Sequence, residues 1–194
     1  MRTKNILSIA ALIICGLVCV NSVKAEVPPT QPSDQVTVNI KFKPVQSIVV
    51  NSGQKTVNLE YYTLQNYQEG VSVTMNDHLE VFSSGGFQVK VKTSGNFTRV
   101  GGTGTETIPA SEVKVQAAPS NGNTGDFGSG GLPQVSLSSD EQPLIGADTG
   151  GNFKFHVTYD NTADGGNFAY LNKHVRPEET SVYTATVTYL IAAK

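Results

Sequence analysis

The chain has 194 residues, 14 basic and 16 acidic side chains, and a formal net charge of −2. Its lysines are scattered and no basic cluster stands out, so neither nucleic acid nor an anionic membrane surface is an expected partner. There is no tryptophan, and both cysteines, Cys15 and Cys19, lie close to the N-terminus.

Residues 1–25 read as a signal peptide. Arg2 and Lys4 give a positive start, 6–20 is an apolar run, and Val23-Lys24-Ala25 is a small-residue cleavage site before Glu26. The apolar run is shorter than the roughly 20 residues a spanning helix needs. Ile14 precedes Cys15 and Val18 precedes Cys19, so lipidation is not expected, nor is a membrane span once the signal is cleaved. Cleavage leaves 169 residues (194 less 25) with 11 basic and 16 acidic side chains, a net charge of −5. It also removes both cysteines, which excludes thiol nucleophiles, Cys-ligated zinc and iron–sulfur clusters. A disulfide-free exported domain must be held by its core and its sheet hydrogen bonds. The expected location is secreted, at the cell surface or in the periplasm.

Residues 26–35, with Pro28, Pro29 and Pro32, form an extended leader. The segment 36–42 (VTVNIKF) then places Val36, Val38, Ile40 and Phe42 at a spacing of two, the signature of a half-buried strand. Pro44 stops it. Two readings stay open: the domain's own first strand, which is favoured, or a strand donated to a neighbour.

Further strands are expected at 45–50, 56–64, 71–75, 85–93, 97–100, 112–116, 134–138, 150–159 and 181–191, separated by turn signals. The clearest is 85–93, with Phe87, Val89 and Val91 on one face and Gln88, Lys90 and Lys92 on the other. A sheet with one polar face belongs to an antiparallel sandwich rather than to a doubly wound α/β fold. The last stretch alternates Tyr183, Ala185, Val187, Tyr189 and Ile191 with threonines, and is expected to insert into a sheet and tie down the C-terminus. Residues 76–84 are ambiguous, and 119–133, with five glycines, reads as a mobile loop. The expected fold is all-β: an antiparallel, Ig-like β-sandwich with Greek-key-type connections and nine or ten short strands, spanning 36–194 as a single domain.

Chemistry-bearing patterns are sparse. The three histidines, His78, His156 and His174, show no zinc spacing. Asp160, Asn161, Asp164 and Asn167 in one turn, and Asn121, Asn123 and Asp126 in another, could wrap calcium, but they are also what any turn selects. Asp160, Asp164 and Asn167 are the metal candidates; no other cofactor is expected. The nearest string to a serine-hydrolase elbow, GSGG at 128–131, has no strand leading tightly into it. The acidic residues are scattered outside apolar runs, so no enzyme is expected. Tyr67, Phe127, Phe168 and Tyr170 sit in or near turns and are candidate aromatic contacts for a glycan or protein ligand, or covers for the ends of the core.

Three stretches together, 87–98 (FQVKVKTSGNFT), 108–115 (IPASEVKV) and 183–189 (YTATVTY), resemble the core strands of bacterial cell-surface sandwiches of the fimbrial-subunit-like and WxL-like types. The chain departs from them in having no W-x-L motif and no cysteine pair. The resemblance implies an Ig-like sandwich on the bacterial surface, without cofactor or catalysis. Its partners would be other envelope or fibre proteins, or copies of itself. In fimbrial subunits a neighbour's N-terminal extension fills a groove by β-strand addition. A structural protein of this kind is the expected function, and an adhesin-like binding module the alternative.

Overall fold

The computed structural model describes residues 31–101, 106–127, 132–176 and 180–194. The expected signal segment and the GSGG string lie outside the described residues. The chain divides into two compact units, Met1–Ile40 and Lys41–Lys194. In the first, residues 31–40 form neither strand nor helix and are exposed.

The strand expected at 36–42 is therefore not formed. Val36, Val38, Ile40 and Phe42 are 86%, 79%, 78% and 92% exposed, and the first strand, β1, begins only at Gln46. Alternation equips a segment to be a strand, but a strand exists only when a neighbour meets its N–H and C=O groups.

The second unit is an antiparallel sandwich. Its larger sheet has the order β1 (Gln46–Val50), β2 (Ser72–Ser83), β9 (Gly151–Asp160), β6 (Lys114–Pro119), β7 (Gln134–Ser136). The facing layer is made of two ladders end to end. One orders β11 (Val187–Ala193), β3 (Phe87–Thr93) and β8 (Gln142–Ala147); the other orders β10 (Tyr183–Thr184), β4 (Phe97–Arg99) and β5 (Thr107–Ile108). Between them the Ser94 N–H donates to the Thr186 carbonyl at 2.9 Å. Strands adjacent in a sheet are mostly not adjacent in sequence, as crossovers between two layers require.

The core lies between the layers. Leu79 and Val81 of β2, Phe153, Phe155 and Val157 of β9 and Val115 of β6 face Phe87, Val89 and Val91 of β3 and Leu144, Ile145 and Ala147 of β8, all buried. Phe87 and Phe153 stack across the gap with ring centroids 5.8 Å apart. Truncating a fully buried phenylalanine such as Phe155 to alanine costs about 3–5 kcal/mol, through lost burial and the cavity left behind.

Four further elements differ from expectation. Within 56–64 the side chains do alternate, with Val57 and Leu59 packed against the core, but residues 56–62 belong to no ladder. Leu64–Glu69 is instead a short helix, α1, closed at its start by a reciprocal Thr63–Asn66 capping box. β8 was not anticipated, because Pro143 and Gly146 interrupt its pattern. β2 runs straight through the ambiguous stretch by way of an irregularity between Met75 and Leu79, where Asp77 takes a φ of 50°.

The final strand is also placed differently. It breaks into β10 and β11 and lies at the edge of its layer rather than within it, pairing with β4 and β3 on one side only. The loop 119–133 is anchored at the residues described: Leu132 is buried, and Phe127 sets its ring edge-to-face on Phe153 and Phe155.

Candidate functional site

β11 has one edge that no described strand pairs with, although β1 of the facing sheet lies alongside it. At the two ends of the β11–β3 ladder the Ser94 N–H donates to the Thr186 carbonyl and the Lys194 N–H to the Gly86 carbonyl. The register Val187↔Thr93 through Ala193↔Phe87 then makes the even-numbered residues of β11 the hydrogen-bonded ones. In an antiparallel pair the intervening residues point their N–H and C=O groups the other way. Val187, Tyr189, Ile191 and Ala193 thus present backbone donors and acceptors outward, and no described strand pairs with them.

Beside this edge the core is only partly covered. Ile48 and Val50 of β1, Val57 and Leu59 of the unladdered segment, and Val187, Tyr189 and Ile191 of β11 all pack on the core while remaining half-exposed. At the end where β11 finishes, an open recess of about 630 Å³ is lined by Phe42, Pro44, Gln46, the Ser83–Gly86 turn and Lys194, among others. Val45 is fixed to this turn by its N–H to the Ser84 hydroxyl and by Ser84 N–H to its own carbonyl, each 2.9 Å. The chain N-terminal to β1 therefore leaves the sandwich at the end where β11 stops.

Beneath the edge runs a buried polar relay. The imidazole of His78, 2% exposed, lies 2.9 Å from Gln54 Oε1 through Nδ1 and 3.0 Å from the Tyr159 hydroxyl through Nε2. Tyr159 in turn lies 2.6 Å from the Tyr189 hydroxyl. Gln54 Oε1 can only accept, so Nδ1 carries the proton and Nε2 accepts from Tyr159; Tyr189 then donates to Tyr159. Burial, with Lys55 nearby, holds the imidazole below its ordinary value. Burial, and then the adjoining Tyr159, hold the Tyr189 phenol well above its own.

The opposite end of the sandwich is closed by an aromatic series. Tyr67, Tyr61, Tyr170, His174 and Tyr183 follow one another with centroid separations of 5.4, 5.4, 5.3 and 5.1 Å. At its centre the buried Asn161 amide donates to the Glu112 carbonyl and the Tyr170 hydroxyl and accepts from Tyr61, while Tyr170 donates to Glu112 Oε2 at 2.7 Å. Burial pushes the Tyr61 phenol up to about 12. Both ring nitrogens of the buried His174 lack a hydrogen-bond partner, and burial, with Lys173 beside it, lowers its basicity.

The residues singled out from sequence are divided by this arrangement. Tyr170 is buried, Tyr67 is half-buried with its hydroxyl on the Tyr61 carbonyl, and Phe127 covers the core. Phe168 alone is exposed, at 40%, with a φ of 59°. Asp160 Oδ1 is engaged by the N–H and hydroxyl of Thr162, at 2.9 and 2.7 Å, which starts the short helix α2 (Thr162–Gly165). Asp164 is exposed, and the Asn167 N–H donates to the Gln68 carbonyl. Among the described residues no group of three or more His, Cys, Asp or Glu side chains could hold a metal ion.

Sequence reasoning did not find the β11 edge, because a free edge is a property of topology rather than of residue type. It also passed over His78 as a buried group. Its polar neighbours Asn76 and Asp77 hide the fact that the β2 irregularity turns His78 inward.

No family model matches the chain, and no curated protein matches it. Among solved structures it is similar to a chain of a chaperone-usher pilus, at 12% identity and a TM-score of 0.38, with 86% of this chain and 99% of that chain covered.

Proposed function

We propose that the protein is a non-catalytic structural subunit, exported and displayed at the cell surface, that joins to further copies of itself or to other fibre proteins by strand addition. The observation that carries this is the presence of two unfinished parts in one chain. β11 has an edge without a ladder partner over seven residues, with β1 lying alongside but not paired to it, and 36–42 is a seven-residue alternating segment with four exposed apolar side chains and no ladder of its own.

The register that joins them also fits. With Phe42 of one copy opposite Val187 of another, antiparallel pairing puts Ile40, Val38 and Val36 opposite Tyr189, Ile191 and Ala193. Directly opposed residues share a face, so Phe42, Ile40 and Val38 fall on the core side with Val187, Tyr189 and Ile191. Thr37, Asn39 and Lys41 are left to water. The main-chain bonds supply affinity, and the half-covered core supplies specificity.

The test is size-exclusion chromatography of the chain lacking residues 1–25, with and without residues 26–43, followed by titration of a synthetic 31–44 peptide into the shorter form. The longer form should associate, and the shorter one should run as a monomer that takes up one peptide. A longer form that stays monomeric, with no peptide uptake by the shorter one, would overturn the proposal.

A further inference from the structure

We infer that the exposed apolar end of the sandwich around Leu64, Phe168 and Leu171 is a second contact surface, and that its occupant is the opposite end of the next copy, the Ser83–Gly86 turn with Lys194. This inference rests on the strand-addition reading and specifies where the two bodies meet.

The surface is built rather than incidental. Phe168 and its predecessor Asn167 both hold positive φ, 59° and 51°, a conformation in which a bulky side chain is a rare outlier. They are kept there by hydrogen bonds to the last turn of α1: Phe168 N–H to the Tyr67 carbonyl at 2.7 Å and Asn167 N–H to the Gln68 carbonyl at 2.8 Å. The Leu171 N–H closes the turn on the Phe168 carbonyl at 3.1 Å. This sets Phe168 and Leu171 beside the helix that carries Leu64 one turn before Gln68. Leu64 is 73% exposed, and both Phe168 and Leu171 remain exposed. Strain that ends by presenting a phenylalanine to water is characteristic of a contact site.

The length of the connection identifies the occupant. In the register above, Phe42 of the donor sits opposite Val187 of the acceptor. Four Cα steps, spanning about 14 Å at most, then lead to Gln46, where the donor's own β1 begins. Four residues along the acceptor edge from Val187 lies Tyr183, which packs on His174 in the same loop as Phe168 and Leu171. The donor body cannot stand clear of that end. It must rest on it, and it does so with the end from which its leader departs: Val45 bonded to Ser84, next to Lys194.

Direction matters here. An antiparallel insertion brings opposite ends together, which is a heterologous contact that repeats without closing. A parallel insertion would bring the two glycine-rich ends together in a closed pair and would leave Leu64, Phe168 and Leu171 uncovered. Antiparallel pairing is the slightly more stable of the two.

The test uses disulfide trapping, since removal of residues 1–25 leaves no native cysteine. Leu171→Cys and Gly85→Cys are made singly and mixed; a Cβ at Gly85 meets nothing within 4 Å. The expected result is a mixed disulfide between the two variants that fails to form when residues 26–43 are deleted. A Gly85→Cys self-disulfide instead would overturn the inference. In parallel, Phe168→Ser with Leu171→Ser should weaken self-association on the order of tenfold, the effect of losing a hot-spot residue. Uptake of the 31–44 peptide by the shortened body should stay unchanged, which also shows that the variant folds. Unchanged self-association together with peptide uptake would overturn this contact and leave strand addition standing. Absence of peptide uptake by the unsubstituted body would overturn both.

Discussion

The hydroxyls of Tyr159 and Tyr189 lie 2.6 Å apart, joining the middle of the larger sheet to the last strand of the facing layer. The Tyr159 oxygen also meets His78, so one phenol serves both partners while the other ends the relay at the open edge. The two tyrosines therefore differ in how much depends on them.

Replacing Tyr189 with phenylalanine removes the terminal donor and leaves Tyr159 bonded to His78. The expected loss is about 0.5–1.5 kcal/mol, the net contribution of one hydrogen bond. Replacing Tyr159 strands His78 Nε2 and the Tyr189 hydroxyl together, and should cost about 1–3 kcal/mol or more. Urea unfolding of both variants checks the order; equal losses would mean that the relay is not read from Tyr159.

Acid should destabilise the fold. His78 and His174 are both held below their ordinary value of 6.5 by burial, so the unfolded chain binds their protons first. Stability is then full above about pH 6.5 and declines as the pH falls through that value toward the lowered folded pKa values. Urea midpoints measured between pH 7.5 and 5 should fall with pH, and His78→Gln should flatten the slope. A midpoint indifferent to pH over that range would contradict the assignment.

Gly70 ends α1 with a φ of 79°, and a Cβ placed there would meet the Thr162 Cα at 2.5 Å. Both the left-handed backbone and the contact with α2 select glycine. Gly70→Ala should destabilise by more than about 1 kcal/mol. Gly85→Ala, where the space is open, should change little by the same measurement.

Calcium is expected to leave the melting temperature unchanged, because Asp160 Oδ1 is already engaged by Thr162. A rise that disappears in Asp160→Asn with Asp164→Asn would instead assign this turn as a calcium site.

Much of the sandwich could be read from alternation. Phe87, Val89 and Val91, and Phe153, Phe155 and Val157, are buried as their spacing of two dictates. What alternation cannot state is who supplies the neighbouring strand. The segments 36–42, 56–62 and 187–193 have the same pattern, yet the first is unladdered and exposed, the second unladdered but packed, and the third paired on one side. Such differences are decided by contacts distant in the chain. Composition misled in the other direction at β8, where Pro143 and Gly146 conceal a strand that buries Leu144 and Ile145. The candidate site was legible only as the apolar spacing of Val36 to Phe42 and of Val187 to Ile191.

The placement of β11 against β3 also governs the order of assembly. β3 is made well before its ladder partner β11, with β4 to β10 synthesised in between. Until β11 has been synthesised, β3 lacks this neighbour and its layer cannot close. Non-local pairing of this kind makes folding slow and leaves intermediates whose apolar faces are exposed until the last pairing forms.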